Sequence, residues 1–145
     1  IDCLKLKKTD KVLEIGTGTG YQTALLAHLC KHVCTIEIFS ELYDQAKLNH
    51  KKLQLKNISH MLGNGANGWR EHLSFDAIII SAAAKLVPIK LLKNLKNGGK
   101  LIFPKKYSLE HQKLILINKI NEYLFDEEKL FDVKFVPLLE KISRT

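Results

Sequence analysis

Gly16, Gly18 and Gly20 alternate with Thr17 and Thr19, directly after Val12-Leu13-Glu14-Ile15 and directly before Tyr21. The run before Gly16 reads as a buried strand, Lys11 to Ile15. The run after Gly20, Tyr21 to His32, carries Ala24, Leu25, Ala27, Leu29 and Cys30 and reads as a helix with a wide apolar stripe. A chain that passes from strand to helix in so few residues must turn sharply, through backbone angles that glycine tolerates best. Bare backbone lets a ligand come close, and the helix start offers unpaired N–H groups with a partial positive charge.

Two features narrow the ligand. Glu14 stands two residues ahead of Gly16, at the carboxyl end of the strand. An anion there repels a pyrophosphate and suits an ammonium or a sulfonium. The spacing is G-x-G-x-G, not the G-x-G-x-x-G of dinucleotide sites. Both turn the reading away from a nicotinamide cofactor and towards S-adenosyl-L-methionine, with Glu14, Gly16, Thr17, Gly18 and Gly20 as cofactor-site residues.

The alternation of strand and helix continues. Val33 to Ile38 is expected as a second strand, Ser40 as the N-cap of a helix carrying Leu42, Tyr43, Ala46 and Leu53, and Ile58 to Leu62 as a third strand. A glycine-rich loop, Gly63 to Trp69, follows. Phe75 to Ile80 is apolar on both faces, as a central parallel strand should be. Pro88 opens a helix to Lys96, stopped by Asn97-Gly98-Gly99, and Lys100 to Pro104 is strand five. Lys113 to Ile120 and Val133 to Leu139 read as an antiparallel pair, joined by an acidic connection around Asp126-Glu127-Glu128. The expected fold is α/β: a Rossmann-like, doubly wound, mostly parallel sheet with that pair at its C-terminal edge. Residues 1–145 read as a single domain, incomplete at its amino end, since only about ten residues precede the first strand.

Composition excludes several alternatives. An apolar content of 46% and a charged content of 26% are those of a soluble globular domain. No apolar run approaches a membrane span, and Ile1-Asp2-Cys3-Leu4-Lys5 lacks the layout of a signal peptide, so no membrane partner and a cytoplasmic location are expected. The net charge is +8, but the lysines are scattered and not interleaved with aromatic residues, which argues against nucleic acid. Cys3, Cys30 and Cys34 read as buried thiols, and no metal site is expected. A monomer is expected.

In doubly wound sheets ligands bind beyond the carboxyl ends of the strands. Glu37 ends strand two, where a carboxylate accepts hydrogen bonds from ribose hydroxyls. Ile38 is expected against the adenine, and Asn64 and Gly65 at its edge. Trp69 is either a wall of the site or packing, and Asp76 reads as a strand-start residue. No catalytic dyad or triad is visible among the histidines. After strand four, where a general base for a hydroxyl or amine acceptor would stand, the chain reads Ser81-Ala82-Ala83. An acceptor already ionised at neutral pH, such as a carboxylate, needs only positioning.

Seven stretches together resemble a family: VLEIGTGTGYQ (12–22), Thr35-Ile36-Glu37, Gly63-Asn64-Gly65 with Gly68-Trp69, FDAIIISAA (75–83), LKNGGKLIFP (95–104), His111-Gln112-Lys113-Leu114 and Phe135-Val136-Pro137-Leu138. In order and spacing they are similar to the protein-L-isoaspartate O-methyltransferases, from about residue 10 to residue 139. The resemblance implies methyl transfer from S-adenosyl-L-methionine to the free carboxylate of isoaspartyl residues in damaged proteins. It implies that Glu37 holds the ribose, that Asn64-Gly65 meets the adenine, and that Ser81, Ala82, Ala83 and Gln112 lie on the substrate side. Two departures stand out. The family's serine-containing active-site stretch precedes its glycine motif and has no counterpart in this sequence, so no residue here inherits that role and no catalytic residue is assigned. Asn64 stands where the family usually has aspartate. The alternatives are an inactive or split S-adenosylmethionine-binding module needing a partner segment, and an RNA methyltransferase.

Overall fold

The computed structural model describes residues 1–69 and 74–139. One sheet of seven strands runs through it. In chain order the elements are β1 (Lys11–Ile15), α1 (Tyr21–Leu29), β2 (His32–Glu37), α2 (Ser40–Lys52), β3 (Ile58–Leu62), β4 (Phe75–Ile80), α3 (Ile89–Asn94), β5 (Leu95–Lys106), β6 (Gln112–Lys119) and β7 (Phe125–Val133). Short 3-10 turns stand at Asp2–Leu4 and Gly65–Asn67. The strand order is β3-β2-β1-β4-β5-β6-β7. The first five strands are parallel, and β6 and β7 are antiparallel additions. The order reverses between β1 and β4, which is where such sheets open a crevice beyond their carboxyl ends.

The apolar central strands bury both faces, as their sequence requires. Leu13, Ile15, Ile36, Ile78, Ile80 and Leu101 pack on one side, against α3 residue Leu91. Val12, Val33, Ala77, Ile79 and Ile102 pack on the other, against Leu26, Ala27 and Cys30 of α1 and its end. Successive side chains alternate between the two sets, the period of two that a strand imposes.

Several boundaries differ from the sequence reading. Helix α1 stops at Leu29, because Cys30 is already extended and the Lys31 N–H donates to Asp10 O at 2.8 Å. Ser40 is a first-turn residue and not the cap. Phe39 takes that place, its N–H held by Glu37 Oε2 at 3.0 Å. Pro88 likewise stands one residue ahead of α3, whose first turn bonds back to its carbonyl. Helix α3 ends at Asn94, and Asn97-Gly98-Gly99 forms an irregularity inside β5, with Gly98 at φ +82°, instead of a helix stop. The buried Lys119 ammonium closes that helix end by donating to Leu92 O and Leu95 O, both at 2.8 Å.

The last difference is the largest. The acidic stretch expected to connect two strands is itself β7, and residues 134–139 are not a strand. Strand β7 is the sheet's edge and is exposed over most of its length, so charge is what its side chains need. Lys105 meets Glu127 at 3.4 Å, and Lys113 meets Asp132 at 3.8 Å. The apolar run that resembles a strand, Val136–Leu139, goes instead to the cleft.

Candidate functional site

A cleft of about 380 Å³ opens at the carboxyl ends of β1, β2 and β4. The glycine turn, the end of β2, the start of α2, Gly63 and Gly65, the exit of β4 and the segment Val136–Leu139 line it. The turn has the backbone its sequence demands: Gly16, Gly18 and Gly20 lie at φ +95°, +59° and +91°. A Cβ built on Gly18 meets no heavy atom within 4 Å, whereas one on Gly65 comes 2.3 Å from Ile15 Cγ2. Gly18 is therefore glycine beside open space, and Gly65 is glycine because β1 presses on it.

Glu37 is 5% exposed and holds the turn from the side. Its Oε1 accepts the Gly18 N–H at 2.8 Å and its Oε2 the Phe39 N–H at 3.0 Å. Each carboxylate oxygen retains a lone pair for a further donor in the cleft. Glu37 is the one ionisable side chain among the described residues that line the cleft. Among the described residues no cluster of three or more His, Cys, Asp or Glu side chains is placed to hold a metal ion.

Glu14 does not line the cleft. Its carboxylate is fully buried on the α1 side of β1, because alternation along the strand gives it the same face as Val12. Thr23 donates to its Oε1, Thr35 donates to the same oxygen at 2.7 Å, and Gln22 Nε2 donates to Oε2 at 3.0 Å. The Thr35 hydroxyl proton is thereby used, so Thr17 is the donor in the 2.6 Å contact between the two hydroxyls. Burial pushes the Glu14 carboxyl up, against the pull of its three donors, and the nearby Glu37 charge adds to the rise. Gln22 Nε2 also reaches Ser81 Oγ at 3.0 Å, so one amide joins the buried acid to the exit of β4.

Of the residues singled out from the sequence, Gly16, Gly18, Glu37, Ile38, Gly65, Ser81 and Ala82 line the cleft. The others stand behind it. Thr17 is buried on Thr35. The Gly20 carbonyl accepts from His50 Nε2 at 2.8 Å. Asn64 turns its Oδ1 inward to the Ala66 N–H at 2.9 Å, capping the 3-10 turn. Ala83 pairs with the C-terminal segment through Ala83 N–H to Val136 O at 2.7 Å and Leu138 N–H to Ala83 O at 2.8 Å. Gln112 faces that same segment, with Nε2 donating to Phe135 O at 3.1 Å and Oε1 accepting the Phe135 N–H at 2.8 Å. The sequence reading missed Phe39 and Leu42 as cleft residues. The signal was available: apolar side chains directly after the strand-end acid, on the first turn of α2.

Comparison with known proteins bears on this arrangement. The family model described as Protein-L-isoaspartate(D-aspartate) O-methyltransferase (PCMT) matches residues 1–143. The chain belongs to this family. A protein-L-isoaspartate O-methyltransferase 1 of Nitrosospira multiformis is 44% identical over 137 residues, covering 94% of this chain and 58% of that protein. A solved protein-L-isoaspartate O-methyltransferase superposes with a TM-score of 0.87 at 27% identity, over 94% of this chain and 44% of that one. A Plasmodium falciparum protein described as a PCMT, in complex with S-adenosyl-L-homocysteine, gives a TM-score of 0.76 at 27% identity, over 93% of this chain and 68% of that one. The chain spans 56–65% of the length of the curated relatives it matches. The fold is that of the class I methyltransferases, a mostly parallel α/β sheet with antiparallel C-terminal strands.

In this PCMT-family chain the glycine turn has a second support, at its far end. Gly20 O can only accept, so His50 Nε2 carries the proton, and His50 Nδ1 meets His60 Nε2 across 2.7 Å. Burial, aided by His50 and Lys47, pushes His60 down to about 4. The unfolded chain takes up this proton near pH 6.5, while the folded chain resists until about 4. Stability from His60 is therefore complete above pH 6.5 and is lost as pH falls through that window. Discounted for its partial exposure, the loss is about 1–2 kcal/mol. His60→Gln is expected to flatten the fall in urea midpoint between pH 6.5 and 4; an unchanged slope would assign the fall elsewhere.

Proposed function

We propose that this chain transfers a methyl group from S-adenosyl-L-methionine to the free carboxylate of L-isoaspartyl residues in damaged proteins. The observation that carries the reading is the charge content of the cleft. Glu37 is its one ionisable side chain among the described residues, with one oxygen tied to the glycine turn through the Gly18 N–H and the other to the start of α2 through the Phe39 N–H. With Glu37 given to the ribose hydroxyls, no other described side chain there is a base for a hydroxyl or an amine. A carboxylate acceptor has none to give up.

The cleft fits an adenosyl cofactor. Open space stands beside Gly18, a carboxylate waits at the end of β2, and Ile38, Phe39 and Leu42 supply an apolar flank. On this reading Glu37 takes the ribose hydroxyls, Ile38 and Gly65 flank the adenine with Asn64 behind them, and Ser81 and Ala82 face the acceptor. Bound there, S-adenosyl-L-methionine supplies an electrophilic methyl group. The chain's own residues hold the two reactants in register and keep water from between them. Glu14 acts at one remove, fixing β1, β2 and α1 around the turn.

The partners on this reading are isoaspartyl-bearing proteins, met in the cytoplasm by a monomer. The test is labelled methyl transfer to an isoaspartyl peptide, with the matched aspartyl peptide as control. Transfer to the isoaspartyl peptide alone is expected. Transfer to both peptides would remove the repair assignment, and transfer to neither would remove the enzyme assignment for this chain.

One observation favours a second reading, a cofactor-binding module completed by another polypeptide. Tyr21 is 75% exposed, and Leu25, Leu29 and Phe131 border an apolar groove with Ile1 and Cys3. Binding of S-adenosyl-L-homocysteine without methyl transfer is the outcome that this second reading expects.

A further inference from the structure

Residues 134–139 belong to no strand or helix, yet Val136–Leu139 make a wall of the cleft. Such a segment keeps its position only through what ties it down. Ala83 holds it from the β4 side by two backbone bonds, with a parallel bridge to Pro137. Gln112 holds it at Phe135, with one amide group donating to the carbonyl and accepting from the N–H of a single residue. This copies with a side chain the pairing that a neighbouring strand would offer. Gln112 is buried at the first position of β6, and that strand is fixed by seven paired residues along β5. Both polar atoms of its amide are committed to Phe135, and it does not line the cleft.

The strand order separates the two sides of the cleft. Glu37–Leu42 and Gly63–Gly65 come from the β2 and β3 side of β1, while Ser81, Ala82 and the 136–139 wall come from the β4 side. With the ribose acid on the first side, the acceptor enters beside the second. We propose that Gln112 is the positioning residue of the acceptor side: its amide sets where the 136–139 wall stands, and so how well the acceptor is held. The proposal rests on the methyl-transfer reading given above.

Two variants test it. Gln112→Leu removes both bonds at similar size. Gln112→Glu keeps the acceptor for the Phe135 N–H but turns a carboxylate oxygen toward the Phe135 carbonyl. Three quantities are measured on the full chain: the dissociation constant of S-adenosyl-L-homocysteine, that of an isoaspartyl hexapeptide in its presence, and amide hydrogen exchange at Phe135 and Leu138. Both variants are expected to weaken peptide binding about tenfold, with Gln112→Leu the weaker binder, and to speed exchange at Phe135. The S-adenosyl-L-homocysteine affinity should stay within about twofold of wild type, since the far wall is untouched. Unchanged peptide affinity overturns the proposal, and so does a loss of S-adenosyl-L-homocysteine affinity as large as the loss for the peptide. If the wild-type chain binds no isoaspartyl peptide, the methyl-transfer reading falls and the acceptor assignment with it, while exchange at Phe135 still reports whether the clamp exists.

Discussion

Gly18→Val is expected to abolish binding of S-adenosyl-L-homocysteine while leaving a folded chain. Gly18 lines the cleft, and a Cβ there meets no heavy atom within 4 Å beyond its chain neighbours, so the added side chain points into open space. On the proposed reading the space it takes is the ligand's. The backbone at φ +59° costs a non-glycine residue roughly 1–2 kcal/mol, a tolerable loss for a domain of ordinary stability. The expected fall in affinity exceeds about 100-fold, or roughly 2.7 kcal/mol. Calorimetry measures it, with circular dichroism to verify the fold. A folded variant that keeps its affinity would show that the ligand lies elsewhere. Gly65→Ala is a useful contrast, because its Cβ would collide with Ile15 and the damage would appear in stability first.

Glu37→Ala should weaken the same ligand by about 1–3 kcal/mol, roughly 5- to 150-fold. Two losses combine. The ribose hydroxyls lose a charged acceptor, and the N–H groups of Gly18 and Phe39 lose theirs. The second loss loosens both the turn and the start of α2, so melting temperature should fall as well. Glu37→Gln separates them. Its amide oxygen can still accept one of the two backbone N–H groups, so it should recover part of the stability while remaining a poorer ribose acceptor. Equal affinity for wild type and Glu37→Ala would remove Glu37 from the ligand site and leave it a structural residue.

The core of this site was legible because glycine, a strand-end acid and buried strands each obey a local rule. The turn from Gly16 to Gly20 needed backbone angles that the sequence announces. Glu37 could be placed because it follows the last apolar residue of a central strand. What could not be read depended on direction or on distant partners. Glu14 sits in a strand apolar on both faces, so its neighbours do not tell which side it takes. Thr35, its register partner on β2, becomes informative only once the pairing is known. Gln112 looked like a ligand contact because it belongs to a motif near the site, but its partner is a backbone 23 residues further on. Strand β7 was misplaced for a physical reason: an edge strand needs charge and a cleft wall needs apolar side chains, which inverts the usual rule for telling strand from loop.

That inversion bears on how the molecule comes into being. The cleft takes its first wall from residues 15–18 and its last from residues 136–139. A ribosome releases the glycine turn, Glu37 and the β4 exit long before it releases the segment that closes them in. Until then the growing chain displays its apolar strand ends to the cell with no wall across them, and holds at best a partial site for a ligand. Whatever stability a bound ligand lends reaches this protein only once residues 136–139 have emerged. A nascent chain stalled before Phe135 would therefore be a client for chaperones, and adding ligand would not rescue it.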